Sequence, residues 1–103
     1  MNDDGVDAVI RRAIGGDAAS MAAILVDADT VDDPVMITMA ALLQDDSQRL
    51  ERALRMARTS RDRQLVAIAR AHLAGDSELV DALARDHLAS FPGSLVVSWI
   101  ASK

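Results

Sequence analysis

Apolar residues in this chain recur every three to four positions, and the interruptions come at regular intervals. Val6, Val9, Ile10, Ala13 and Ile14 keep the i, i+3, i+4, i+7 spacing of one helix face, and Gly15-Gly16 halts the run. Met21, Ile24, Leu25 and Ala28 form a second stripe that ends near Asp29. Asp33 then precedes Pro34, a carboxylate cap followed by proline at the first helical position, where its missing N–H costs nothing. Met36, Met39, Ala40 and Leu43 carry a third helix, and Leu50, Ala53, Leu54 and Ala57 a fourth. A fifth stripe, Leu65, Ile68, Ala69, His72 and Leu73, stops at Gly75; a sixth, Val80 through Phe91, stops at Pro92-Gly93. Leu95, Val96, Trp99 and Ile100 make a short seventh. No stretch alternates at period two, and the connections are only a few residues long. The pattern predicts an all-α fold of antiparallel hairpins over residues 4–29, 33–58 and 60–91, with a terminal helix at 94–102.

The turns repeat. Ile14-Gly15-Gly16-Asp17, Leu43-Gln44-Asp45-Asp46 and Leu73-Ala74-Gly75-Asp76 each place an aspartate at the start of a helix, and the aspartates lie 29 and 30 residues apart. Four residues after each comes an apolar anchor, Met21, Leu50 or Val80. Periods of this size signify stacked helical units, none of which buries its apolar face alone. The reading is one domain over residues 1–103, three stacked hairpins forming a short solenoid capped by the last helix.

The third hairpin resembles a tetratricopeptide repeat. Ala69-Arg70-Ala71-His72-Leu73-Ala74-Gly75-Asp76 has that family's small-residue first helix and inter-helix turn, and Pro92 stands at the distance of its closing proline. The similarity spans roughly residues 61–94. The two earlier copies are shorter than the family period, the second lacks the proline, and Val80 and His87 stand where the family prefers alanine. The resemblance implies a helix-turn-helix stacking unit and binding of peptides or proteins, and it brings no catalytic residues.

Composition narrows the picture. The 103 residues include no cysteine, which removes disulfides, thiolate metal sites and cysteine nucleophiles. Leu, Ile, Val and Phe supply 27 residues, more than disordered chains carry. Short apolar runs exclude a membrane span, and Met1–Asp7 lacks the basic-then-apolar order of a signal peptide, so a cytoplasmic protein is expected. The net charge of −5 is unevenly spread: residues 1–48 carry −8, residues 49–63 carry +4, and the remainder −1. The positive segment is the run Arg49, Arg52, Arg55, Arg58, Arg61 and Arg63. A step of three residues advances 300° around a helix, so the run forms a drifting collar that can pair with Glu51, Asp62 and the acidic first half. The chain is acidic overall, has a single lysine and interleaves no aromatics with the arginines, so nucleic acid is not an expected partner.

Candidate chemistry is sparse. In a hairpin turning at Gly75, facing residue numbers sum to about 150, setting His72 opposite Glu78 and His87 opposite Arg63. The two imidazoles are then on the order of 13 Å apart along the axis, too far for one zinc ion. Both are expected as half-buried residues at the core edge, with a pH response at His72 as a further hypothesis. Asp17, Asp33, Asp46 and Asp76 read as helix caps. The cluster Asp27, Asp29, Asp32 and Asp33 lacks the glycine and terminal glutamate of a calcium loop. No serine belongs to a recognisable histidine-paired elbow. The expectation is a non-enzymatic module without cofactor or metal. It would bind a protein or acidic peptide along the first helices of the hairpins, with Arg63 and Arg70 as donors. Trp99 plugs the core or, alternatively, anchors a homodimer through the apolar last helix, in which Val97 falls outside the main stripe.

Overall fold

The computed structural model describes residues 3–103; Met1 and Asn2, which open the acidic N-terminal stretch, lie outside the described residues. Seven helices follow one another: α1 Asp3–Ile14, α2 Ala18–Asp27, α3 Pro34–Gln44, α4 Ser47–Met56, α5 Ser60–Leu73, α6 Ser77–Ser90 and α7 Leu95–Ala101. The described residues contain no strand, and no helix among them is long and apolar enough to cross a membrane.

The three aspartate bends are built alike. Each first helix ends on a residue in the left-handed region, Gly16 (φ +100°), Asp45 (φ +52°) or Gly75 (φ +77°). The next residue, Asp17, Asp46 or Asp76, donates its N–H five residues back, to Arg12 O, Ala41 O or Ala71 O, at 3.0, 2.9 and 3.0 Å. That bond belongs to the Schellman closure, which satisfies carbonyls left free at a helix end. The same aspartate then caps the next helix, its carboxylate accepting an N–H from Ser20, Gln48 or Leu79. One residue thus ends one helix and starts another, which keeps the connection short and folds the pair back antiparallel. Asp45 is the only non-glycine with positive φ among the described residues. Asp45→Gly relieves that backbone and is expected to raise stability by about 0.5–1 kcal/mol in urea titration, net of glycine's greater freedom when unfolded.

Helices pair as α1·α2, α3·α4 and α5·α6, and each later first helix packs on both members of the preceding hairpin: α3 on α1 and α2, α5 on α3 and α4, α7 on α5 and α6. The last helix therefore occupies the place of a fourth first helix. Because α3 has neighbours on every side, six consecutive residues, Met36–Ala41, are buried. A helix apolar all round is stable only in such a position. In α4, by contrast, only Leu50 and Ala53 are fully buried; Arg55 is exposed, and Arg49 and Arg52 are half-buried.

One contact departs from an open stack: α7 also touches α1. The row of first helices therefore closes on itself. The Cα radius of gyration of 12.4 Å is close to the roughly 12.8 Å of a globular domain this long. This contact, with those to α5 and α6, packs the last helix against the core. Val96, Val97 and Ile100 are all buried, because α1 and the third hairpin cover α7 from more than one side. Trp99 packs partly buried against the core, with Lys103 Nζ 4.3 Å from its ring centre.

Candidate binding cleft at the helix N-termini

A cleft of about 410 Å³ lies at the end where α1, α3, α5 and α7 begin. Val6 and Ile10 of α1, Val35 of α3, Leu65 of α5 and Leu95 and Val96 of α7 give it apolar walls. Its polar groups come from the helix starts, because a residue that caps a helix must stand at the helix mouth. Asp33 caps α3, accepting N–H groups of Val35 (2.9 Å) and Met36 (3.4 Å). Thr59 caps α5 through the N–H of Asp62 (3.1 Å), and Asp62 in turn accepts the N–H of Arg58 (3.2 Å).

Ser94 precedes α7 but makes no side-chain cap bond. Its hydroxyl instead lies 3.2 Å from His87 Nε2, while His87 Nδ1 lies 2.8 Å from Gln64 Oε1. The carbonyl oxygen of Gln64 can only accept, so Nδ1 carries the proton and Nε2 accepts the Ser94 hydroxyl. His87 is 1% exposed. Burial holds its pKa below the ordinary 6.5, and the nearby Arg61 guanidinium pushes it the same way. Arg61 itself lies with its guanidinium carbon 5.4 Å from the Phe91 ring centre, and Phe91 packs at 5.0 Å from the imidazole.

Two expectations are corrected here. The residue facing His87 is Gln64, not Arg63: Gln64 lies one turn before the buried Ile68, whereas Arg63 lies one turn before the exposed Ala67. A serine does stand beside a histidine, reached across the α6–α7 turn rather than through a local motif. The order hydroxyl, imidazole, amide has the connectivity of a nucleophile, a base and its orienting group. Its electrostatics oppose that use. An amide offers no charge to an imidazolium, and burial together with Arg61 disfavours one. The arrangement hydrogen-bonds three elements together: α5, α6 and the entrance to α7.

The arginine collar divides in two. Arg49 pairs with Asp29 at 3.0 Å and with Asp46 at 3.6 Å. Arg52 pairs with Asp32 at 3.0 Å and also donates to Ala28 O, so the acidic cluster between α2 and α3 is matched by α4. Arg70, expected as a binding donor, pairs with Glu51 at 2.9 Å, tying α5 to α4. Arg55, Arg58, Arg61 and Arg63 form no ion pair among the described residues, and all four are exposed around the α4–α5 corner. Arg61 is the one that lines the cleft.

His72 sits elsewhere, in a smaller hollow of about 240 Å³ with Val80, Asp81, Ile100 and Lys103. The sequence did not single out Arg61, Gln64 or Ser94. Residue spacing along one helix could not reveal them, since they meet only where α5, α6 and α7 come together. No protein-family model, curated protein or solved structure matches the chain.

Proposed function

We propose that the protein is a helical-repeat binding module on the tetratricopeptide plan that takes an acidic peptide or protein segment. The ligand's apolar side chain would enter the cleft at the helix N-termini, and its carboxylates would lie on the arginine corner beside it. The observation that carries this reading is the division of the arginine run. Where Arg49, Arg52 and Arg70 are matched by carboxylates, Arg55, Arg58, Arg61 and Arg63 form no ion pair among the described residues, which suits them to an acidic partner. A guanidinium held over an aromatic ring at a cleft edge suits a carboxylate, with which it forms paired, charge-assisted hydrogen bonds. The walls supply the burial that charge alone does not, because exposed ion pairs contribute little.

The test is fluorescence anisotropy with a labelled peptide of alternating glutamate and leucine, against a lysine–leucine peptide of equal length. Selective binding of the acidic peptide that weakens at least about tenfold in Arg61→Glu, and less in Arg63→Ala, is the expected result. Arg70→Ala should change little, since Arg70 already serves Glu51. Equal affinity for both peptides, or binding indifferent to Arg61→Glu, would remove the cleft as the site.

A further inference from the structure

We propose that His87 is a proton-sensitive latch holding α7 in place, so that mild acidification releases the last helix and opens the cleft wall it forms. Three observations lead there. His87 lies on α6 yet bonds both neighbouring elements, Gln64 on α5 and Ser94 at the entrance to α7. Because Ser94 gives its hydroxyl to the imidazole, α7 starts without a side-chain cap and is fastened through His87 instead. With only seven residues, α7 has little stability of its own and depends on the packing of Val96, Val97 and Ile100.

The surroundings make this fastening sensitive to charge. A protonated ring would have two donors, forcing the Ser94 hydroxyl to turn round, and its charge would be buried. Among the described residues no carboxylate bonds the imidazole. From α3, Asp33 lines the same cleft but is occupied by the N–H groups of Val35 and Met36; from α5, Asp62 is occupied by the N–H of Arg58. From α1, Asp7 lies exposed at the cleft. The charge brought near the ring by α5 is Arg61, of the same sign as the imidazolium. α7 contributes no charged group to the cleft.

The sign follows from linkage. A folded-state pKa below 6.5 means that the released state binds the proton more tightly. The latch is therefore fully closed above pH 6.5 and weakens as pH falls from there toward the depressed folded value.

Trp99, the only tryptophan, lies on α7 and reports directly. In the intact chain, its emission is expected to shift to the red between pH 6.5 and 5, while the helical circular dichroism of α1–α6 persists. Hydrogen exchange of α7 amides, corrected for intrinsic pH dependence, should rise over the same range. His87→Gln should abolish the transition. His72→Gln should leave it intact, which matters because His72 shares a hollow with Ile100 and Lys103 at the far end of α7. If His87→Gln fails to fold, proton NMR of the wild-type imidazoles replaces it: the His87 ring should titrate together with the Trp99 signal. A Trp99 signal flat to pH 5, one that survives in His87→Gln, or one that tracks His72 would overturn the latch. None of these outcomes depends on whether the cleft binds an acidic peptide.

Discussion

Ile37→Ala is expected to lower stability by about 2–5 kcal/mol, the largest effect of any single truncation considered for this chain. Ile37 is fully buried in the middle of α3, which is packed by α1, α2, α4 and α5, so no neighbour can swing in from solvent to fill the void. The loss includes the transfer free energy of the deleted groups and the contacts forfeited around a cavity that relaxes only in part. For a domain of this size the midpoint of thermal unfolding should fall by at least about 8 °C. Val26→Ala gives the contrast. Val26 is 66% exposed on α2 and its truncation should stay within about 0.5 kcal/mol. Thermal melts followed at 222 nm measure both, and equal effects would mean that α3 is not the centre of the core.

Val97→Asp should be the second largest change. Val97 is fully buried in α7 as part of the apolar core, where a carboxylate would lose its hydration. An uncompensated buried charge costs about 3–5 kcal/mol, but α7 can avoid that by leaving its site. The expected outcome is therefore loss of α7 docking rather than global unfolding. Trp99 emission should shift to the red already at neutral pH, with most of the helical signal retained. Ser98→Asp, one position on and exposed, should leave both signals unchanged. Full unfolding of Val97→Asp would show that α7 is integral to the first six helices instead of latched onto them.

Much of this architecture was legible in the sequence because local signals agreed with one another. Asp17, Asp33, Asp46 and Asp76 were readable as caps, since a short carboxylate before an apolar stripe has few other uses, and all four cap helices. The equivalence of the three bends was equally visible, and the left-handed residue before each aspartate gives its physical basis. The expected pairing of the arginine run with the acidic first half holds for Arg49 and Arg52, whereas Glu51, also expected as a partner of the run, pairs with Arg70 instead.

What the sequence did not reveal depends on how distant elements meet. Val97 reads as an outward apolar residue when α7 is considered alone; α7 packs on α1 as well as on α5 and α6, and Val97 is buried. The same closure turns an expected open inner surface into a cleft confined to the helix N-termini. Arg70, which stays exposed, pairs with Glu51 of α4, a contact the sequence did not show, and Arg61 became the cleft arginine because α5 starts at the cleft edge. His87 and Ser94 are seven residues apart, a separation that carries no motif, and the α6–α7 turn joins them.

The contact between the first and last helices is the test on which the closed arrangement depends most directly. Methyl-resolved nuclear Overhauser spectra of the intact protein at pH 7.5 should show cross-peaks linking Val6 or Ile10 of α1 to the valines of α7, alongside those joining α6 to α7. Cross-peaks between α6 and α7 with none from α1 would describe an open stack and contradict it.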